Sequence, residues 1–360
     1  MINRIEIENF KSIQTMDLQL NRINVLIGAN GAGKSNFIGL FKLLKSMYDG
    51  NLADYLADEV GADNVLYFGL ENSDYLSGRI EFDRKNAYYF ELKDNKEGDL
   101  FFRKEGTQFY RDWYDTGWDN ESLGHGHTES VLKEKQGGRY EFIKKYMDSF
   151  KIFHFHDTSK KAKIKQKGSI DNNRGLREDG GNLAAYLFLL QEKYPKDFKR
   201  IEMVIRSVAP YFERFDLSPD RKNEEIIRLE WKEKGSDKYF NAMHLSDGTL
   251  RFMALTTLLL QPQAPKTIII DEPELGLHPF AINKLAGLIQ KASAQSQVII
   301  STQSVNLVDN FQPEDIITVD RKDNQSVFER KSSVVLEHWL HEYSNSMGDL
   351  WNKNIIGGRP

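Results

Sequence analysis

The sequence predicts an α/β fold, and three observations carry that prediction. Residues 23–36, INVLIGANGAGKSN, pass from an unbroken apolar strand through a glycine-rich turn into helical spacing. Residues 266–273, KTIIIDEP, form a second apolar run, rich in β-branched residues and closed by two adjacent carboxylates. Elsewhere, segments that alternate with a period of two are followed by segments with helical periodicity.

The glycine-rich turn has a chemical reading. Gly28 to Ser35 fill every fixed position of G-x-x-x-x-G-K-[ST], with a strand before and a helix after. Glycines at 28, 31 and 33 let successive backbone N–H groups curl inward on phosphate oxygens, aided by the positive end of the next helix. Lys34 reaches the β and γ phosphates as a point charge, and the Ser35 hydroxyl joins a Mg²⁺ shell. Asn30 and Asn36 complete the candidate nucleotide-binding set. In the acid pair, Asp271 is the second candidate for the Mg²⁺ shell. Glu272, pointing the other way, is the candidate to polarise water for attack on a γ-phosphate. Together the two motifs point to a P-loop nucleoside triphosphatase using ATP and Mg²⁺.

Bulk properties narrow the class. At 360 residues the chain is long enough for two or three domains. Its 49 Lys and Arg against 53 Asp and Glu give a net charge of −4, which provides no global field for nucleic acid. There are no cysteines, which removes disulfides, thiolate zinc sites and cysteine nucleophiles. MINRIEIENF enters an alternating strand with no leader pattern, and no apolar run approaches a membrane span. A cytoplasmic protein is expected.

In chain order, Ile2–Phe10 and Met16–Leu20 alternate apolar and charged residues and predict an antiparallel pair before the strand at 23–27. A helix follows the turn and fades near Gly50. Short strands are expected at 66–68, 76–82, 87–92 and 100–110, a β meander punctuated by Asn, Asp and Gly. Residues 112–138, with Trp113, Trp118, His125 and His127, read as a polar loop. The two histidines are either metal ligands or loop residues, and the lack of a third ligand favours the loop. A helix at 140–150 and a strand at 152–157 come next. The lysine-rich run at 158–169, TSKKAKIKQKGS, is either a nucleic-acid phosphate contact or a solvated loop, and the absence of aromatic residues for base stacking favours the loop. Helices at 183–190 and 198–209 precede strands at 215–217, 226–231 and 239–242. The domain reading is an N-terminal ATPase lobe at 1–139, a helical insertion at 140–212 and a C-terminal ATPase lobe at 213–360.

Leu245-Ser246-Asp247-Gly248-Thr249 opens a further helix at 250–260, with Ser246 a good N-cap. A capped helix start followed by glycine makes a second anion site, which one nucleotide in one subunit does not need. With the loop at 28–36 and the acid pair, LSDGT resembles the signature motif of the ATP-binding-cassette type of ATPase found in SMC, RecF and OLD proteins. The fold class implied is an ABC/SMC-like head with a β-rich lobe and a helical insertion. In such proteins the signature of one subunit closes over the nucleotide of the other, implying that Ser246 and Gly248 contact a γ-phosphate in trans across a homodimer, or within a larger oligomer. The chain is most similar to stand-alone prokaryotic "AAA family" predicted ATPases. The shared stretches are Asn9 to Ser12, 28–36, Phe155-His156-Asp157, 178–184 (EDGGNLA), 270–279 (IDEPELGLHP), 301–304 (STQS) and the tail LWNKNIIGGRP. Many relatives carry His at the switch position held here by Gln303, a third catalytic candidate beside Glu272 and Lys34. Glutamine hydrogen-bonds but cannot become cationic, which implies slow turnover.

The function expected is a dimeric ATP-driven switch in a DNA-associated process, anti-phage defence or DNA repair by family likeness. Too little chain follows Asp320 for the nuclease domain of OLD proteins, so the effector, such as a nuclease, is expected on a separate chain. The alternative is a RecF-like clamp whose DNA contact is the purpose. A non-DNA regulatory or transport ATPase ranks third; transport is disfavoured by the lack of a membrane segment and by a 60–240 region unlike a compact transporter head.

Overall fold

The computed structural model describes residues 1–111, 117–331 and 346–358. Trp113, and Arg359 and Pro360 of the tail, lie outside the described residues. The chain forms two compact units. The first comprises Met1–Ile152, Lys266–Ile269 and Ser296–Pro360; the second comprises Phe153–Pro265 and Ile270–Gln295.

The first unit opens with β1 (Ile2–Phe10) and β2 (Ile13–Gln19), paired antiparallel with Ile5 opposite Leu18 and Ile7 opposite Met16. Their apolar positions are buried, as period-two patterning dictates. β3 (Ile23–Ile27) is buried at every position. After the glycine-rich turn, α1 (Lys34–Asp49) buries Phe37, Leu40, Phe41 and Leu44 on one face and ends at Gly50, whose φ of 73° suits a left-handed cap. Helix α2 (Leu52–Asp58) follows, in a segment for which no element is expected from periodicity. The strand expected at 66–68 is only an isolated bridge from Leu66 to Phe10.

Strands β4 (Tyr75–Phe82), β5 (Asn86–Asp94), β6 (Leu100–Arg111) and β7 (Gly117–Gly124) extend the first sheet in the order β2-β1-β4-β5-β6-β7. β7 corrects the loop expected across 112–138. It is an edge strand of mostly polar residues, so its signal lies in backbone pairing with β6 rather than in hydropathy. Trp118 on β7 lies under the Arg79 guanidinium, 4.5 Å from the ring centroid. His127 stacks on Phe102 and places Nδ1 2.9 Å from the Glu129 carbonyl. No group of three metal-ligating side chains occurs among the described residues. Helix α3 (Gly138–Met147) then packs Ile143 and Met147 into the same core as α1.

β8 (Ile152–Phe153) is shorter than the strand expected to Asp157. The second unit contains β9 (Gly168–Ser169), α4 (Leu183–Lys193), α5 (Pro195–Val208), β10 (Phe212–Phe215), β11 (Ile226–Ile227), β12 (Glu230–Glu233), β13 (Tyr239–Asn241) and α6 (Asp247–Leu260). Pro195 starts α5 where its missing N–H costs nothing. β14 (Thr267–Asp271) belongs to the first unit as far as Ile269 and to the second from Ile270, where α7 (Pro279–Ala292) follows.

The first unit is completed by β15 (Gln297–Thr302), α8 (Val305–Val308), β16 (Ile316–Lys322), β17 (Gln325–Arg330) and α9 (Met347–Asn352). The second large sheet runs β17-β16-β3-β15-β14-β8. β15 and β16 flank β3 in parallel, and β17 pairs antiparallel with β16. Parallel strands buried on both faces read as unbroken apolar runs, which is the pattern at 23–27 and 298–300. Ligand sites in such sheets lie beyond the carboxyl ends of the strands.

Candidate active site

In the first unit the chain leaves β3 at Gly28, and the turn that follows is braced from below by the β16–β17 hairpin. A Cβ at Gly28 would stand 2.3 Å from the Val319 carbonyl oxygen, and one at Gly33 would stand 2.1 Å from Ser326 Oγ. Gly31 has open space around it, so its need for glycine is the φ of 76° alone; Gly33 has φ 118° in addition to the close contact. Ser326 Oγ hydrogen-bonds the Ala32 carbonyl at 2.6 Å and meets Ser12 Oγ at 2.6 Å, and Asn36 Nδ2 donates to Ser12 Oγ at 2.6 Å. In the sequence Ser12 is legible only as a family marker, and Ser326 and Val319 are not marked at all. Ser326 lies 290 or more positions downstream and carries no local signal.

Lys34 is 6% exposed and donates through Nζ to the carbonyl oxygens of Gly28 at 2.5 Å and Ala29 at 3.0 Å. Its ammonium is thereby held over the turn. Asn30, Gly31 and Ser35 are exposed at the start of α1. Backbone donors, a fixed cation and exposed hydroxyl and amide groups at one helix start fit a polyphosphate. Ser35 supplies a hard oxygen ligand of the kind Mg²⁺ takes.

Gln303 enters the same end of the sheet. Thr302 pairs in register with Ile27, so the chain leaves β15 at Gln303 beside the point where β3 gives way to Gly28. The next residue, Ser304, caps α8 by accepting from the Leu307 N–H at 3.3 Å.

In the second unit the acid pair closes β14. Asp271 ends the strand and its carbonyl oxygen lies 2.9 Å from His156 Nε2. Glu272 has φ 42°, a left-handed conformation costly for a non-glycine residue. Ser246 caps α6 as expected, accepting from the Thr249 N–H at 3.1 Å and donating to Thr249 Oγ1 at 2.8 Å. A Cβ at Gly248 would stand 2.4 Å from the Gly276 carbonyl oxygen. Gly248 is therefore needed as glycine for packing on the turn that follows the acid pair.

Arg251, one helical turn on, binds this turn from the other side. Nη1 donates to the Leu275 carbonyl at 2.8 Å, Nη2 to the His156 carbonyl at 2.7 Å and Nε to the Phe155 carbonyl at 3.1 Å. One planar fork thus ties α6 to the Phe155-His156 segment and to the turn after Glu272, and the His156 ring returns to Asp271. Lys165, 8% exposed, pairs with Asp247 at 3.1 Å. Its hydrogen bond, with a smaller contribution from Arg251, holds the Asp247 carboxyl below the usual range. Lys163 pairs with Asp179 at 3.2 Å and Lys167 with Asp220 at 2.6 Å. Three of the five lysines in the basic run thus face carboxylates of their own unit.

A positioning role for Arg251 has a test. Arg251→Lys keeps the charge but cannot span three carbonyls, and it gives up hydrogen bonds worth about 0.5–1.5 kcal/mol each, most at the part-buried Phe155 and His156 carbonyls. The variant is expected to lower the thermal midpoint by several degrees and reduce ATP turnover. An unchanged midpoint and rate in a melting and turnover assay would remove the fork from the argument.

The fold is that of an SMC head. A structure titled as the Smc head bound to the C-winged helix domain of ScpA aligns over 94% of this chain and 99% of its own, with TM-score 0.62 and 16% identity. A Smc head with an extended coiled coil, bound to the C-terminal domain of ScpA derived from Pyrococcus furiosus, aligns over 96% and 99%, with TM-score 0.58 and 16% identity. No curated protein sequence matches the chain. On this fold the site defines a nucleotide-binding ATPase of the AAA type. The family model described as "AAA domain, putative AbiEii toxin, Type IV TA system" matches residues 23–309, most of the chain, and the protein belongs to that family. Among the described residues no helix is long and apolar enough to cross a membrane.

Proposed function

We propose that the chain is a dimeric switch driven by ATP binding and hydrolysis. The observation that carries this reading is the braced turn at 28–35, with Lys34 fixed over it and two packed glycines setting its path. In this reading the backbone N–H groups of 30–35 and Lys34 hold the phosphates, and Glu272 takes a proton from the attacking water. Gln303 hydrogen-bonds at the γ-phosphate end. Mg²⁺, held by Ser35 and Asp271, would neutralise charge on the phosphate oxygens.

Ser246 and Gly248 of one copy cover the nucleotide of the other, so that closure of the homodimer reports occupancy and hydrolysis limits its lifetime. The exposed side chain of Ser246 at a capped helix start supports this. The switch acts on a separately encoded effector in a defence or DNA-repair setting. The family description, with its toxin and toxin–antitoxin wording, supports defence over repair. The DNA-clamp reading has less support, because the basic run places lysines on its own carboxylates.

The experiment is Ser246→Ala, followed by sedimentation with ATP and by nucleotide binding to the monomer. The lost cap costs about 1 kcal/mol of helix stability, and ATP-driven dimerisation is expected to fall by tenfold or more, as about 1.4 kcal/mol corresponds to a factor of ten. Monomer binding is expected to stay within about twofold. Equal loss of both would overturn the trans arrangement.

A further inference from the structure

The tail LWNKNIIGGRP stands out in sequence but has no role in the ATPase reading. In the first unit it is a docked strap. Helix α9 begins at a Ser346 cap and buries Met347, Gly348, Leu350 and Trp351. It seats on α8, the helix immediately after Gln303. The Gly348 N–H donates to Asp309 Oδ1 at 2.6 Å, and a Cβ at Gly348 would stand 2.3 Å from Val305 Cγ1. The chain then turns back, and the Ile355 N–H donates to the Leu350 carbonyl at 2.9 Å.

The far end of the strap lands on the strand that feeds the phosphate loop. The Gly358 N–H donates to both carboxylate oxygens of Asp320, at 2.9 and 3.0 Å, and its carbonyl accepts from Trp351 Nε1. Gly358 has φ 63°, and a Cβ there would stand 3.1 Å from the Ile27 carbonyl oxygen. Ile27 is the residue before Gly28. Asp320 follows Val319, whose carbonyl oxygen confines Gly28. The strap therefore grips the helix that leads away from the candidate γ-phosphate side chain and the strand end that leads into the phosphate loop. It uses a fully buried tryptophan as its hinge pin.

We propose that residues 346–358 are a positioning strap for ATP hydrolysis, with Asp320 and Gly358 as its latch. It holds the Gln303–α8 segment at a fixed height against the β3 carboxyl end. No strap residue touches substrate; the strap acts through Gln303 and Gly28. Because α8 is a short helix that makes few backbone bonds of its own, external clamping sets where its N-terminal end lies. Nucleotide binding and latch closure are consequently linked, and each favours the other.

This inference rests on the ATPase reading, and its test separates the two. Asp320→Ala and a chain ending at Lys353 are compared with the parent by ATP turnover, KM and thermal midpoint, with hydrogen exchange on the parent with and without ATP. The strap requires kcat to fall by about tenfold, with KM within about threefold. Asp320→Glu should recover part of the rate. In the parent, ATP should slow exchange at the Gly358 amide by about fivefold or more. Parental kcat in both latch variants, or a rise in KM at constant kcat, would overturn the strap. If the parent hydrolyses no ATP, the ATPase reading falls and takes the strap's role with it, whereas a parent that turns over ATP beside latch variants of equal kcat overturns the strap alone.

Discussion

Glu272→Gln is expected to keep ATP bound while hydrolysis falls by roughly 10²–10⁴-fold, the range for loss of a positioned general base. The side chain stays isosteric and keeps its capacity to hydrogen-bond, but it no longer accepts a proton. The backbone argues for this residue over its neighbour. Asp271 is the last strand residue, its carbonyl oxygen placed against the His156 ring. Glu272 takes φ 42°, which turns its side chain out of the strand alternation. A left-handed non-glycine residue costs about 1–3 kcal/mol and persists where its surroundings enforce it. Arg251 supplies that enforcement by binding the Leu275 carbonyl three residues on. Since glutamine carries the same backbone cost, the thermal midpoint should not move. Under the dimer proposal the variant accumulates as an ATP-bound dimer. Turnover at the parental rate, followed by phosphate release, would take the base assignment away from Glu272.

The parts of this molecule legible in its sequence are those whose physics is local. The glycine-rich loop, the acid pair and the Ser246 cap each need a fixed residue order over a few positions: the loop follows β3, the acid pair closes β14 and Ser246 caps α6. The buried strands at 23–27 and 267–271 were legible because both faces are covered and the apolar run is unbroken. Strand β7 was not, since an edge strand with polar residues differs from a loop only in its backbone partner. The same limit hid the braces. Ser326 and Val319 act on Gly33 and Gly28 from a hairpin almost at the other end of the sequence. The Asn9 to Ser12, Phe155 to Asp157 and tail stretches were visible as shared words without a mechanism. The structure supplies one for each: Ser12 receives Asn36, the Phe155 and His156 carbonyls receive Arg251, and Gly358 latches on Asp320.

Gly33→Ala is the second large effect expected, and it separates two reasons why glycine occupies the loop. A methyl group there meets Ser326 Oγ at 2.1 Å, and the residue also holds φ 118°, which L side chains rarely adopt. Overpacking costs about 1–3 kcal/mol and backbone strain a further 1–3 kcal/mol. The unbound loop relieves this penalty by leaving its phosphate-binding path, so re-forming that path on binding costs, at about 1.4 kcal/mol per factor of ten, roughly 30-fold or more in nucleotide affinity. The double variant Gly33→Ala with Ser326→Gly removes the severe part of the clash, leaving a 3.2 Å contact to Ser12 Oγ, and keeps the conformational part. It should recover only a fraction of the affinity, because the backbone must still hold the angle that points the 30–35 N–H groups inward. Ser326→Gly alone loses the hydrogen bonds to Ala32 and Ser12 and should cost about 1 kcal/mol each at most. Full recovery in the double variant would mean that the loop is shaped chiefly by its hairpin brace, and that the left-handed backbone at Gly33 follows from the contact rather than setting it.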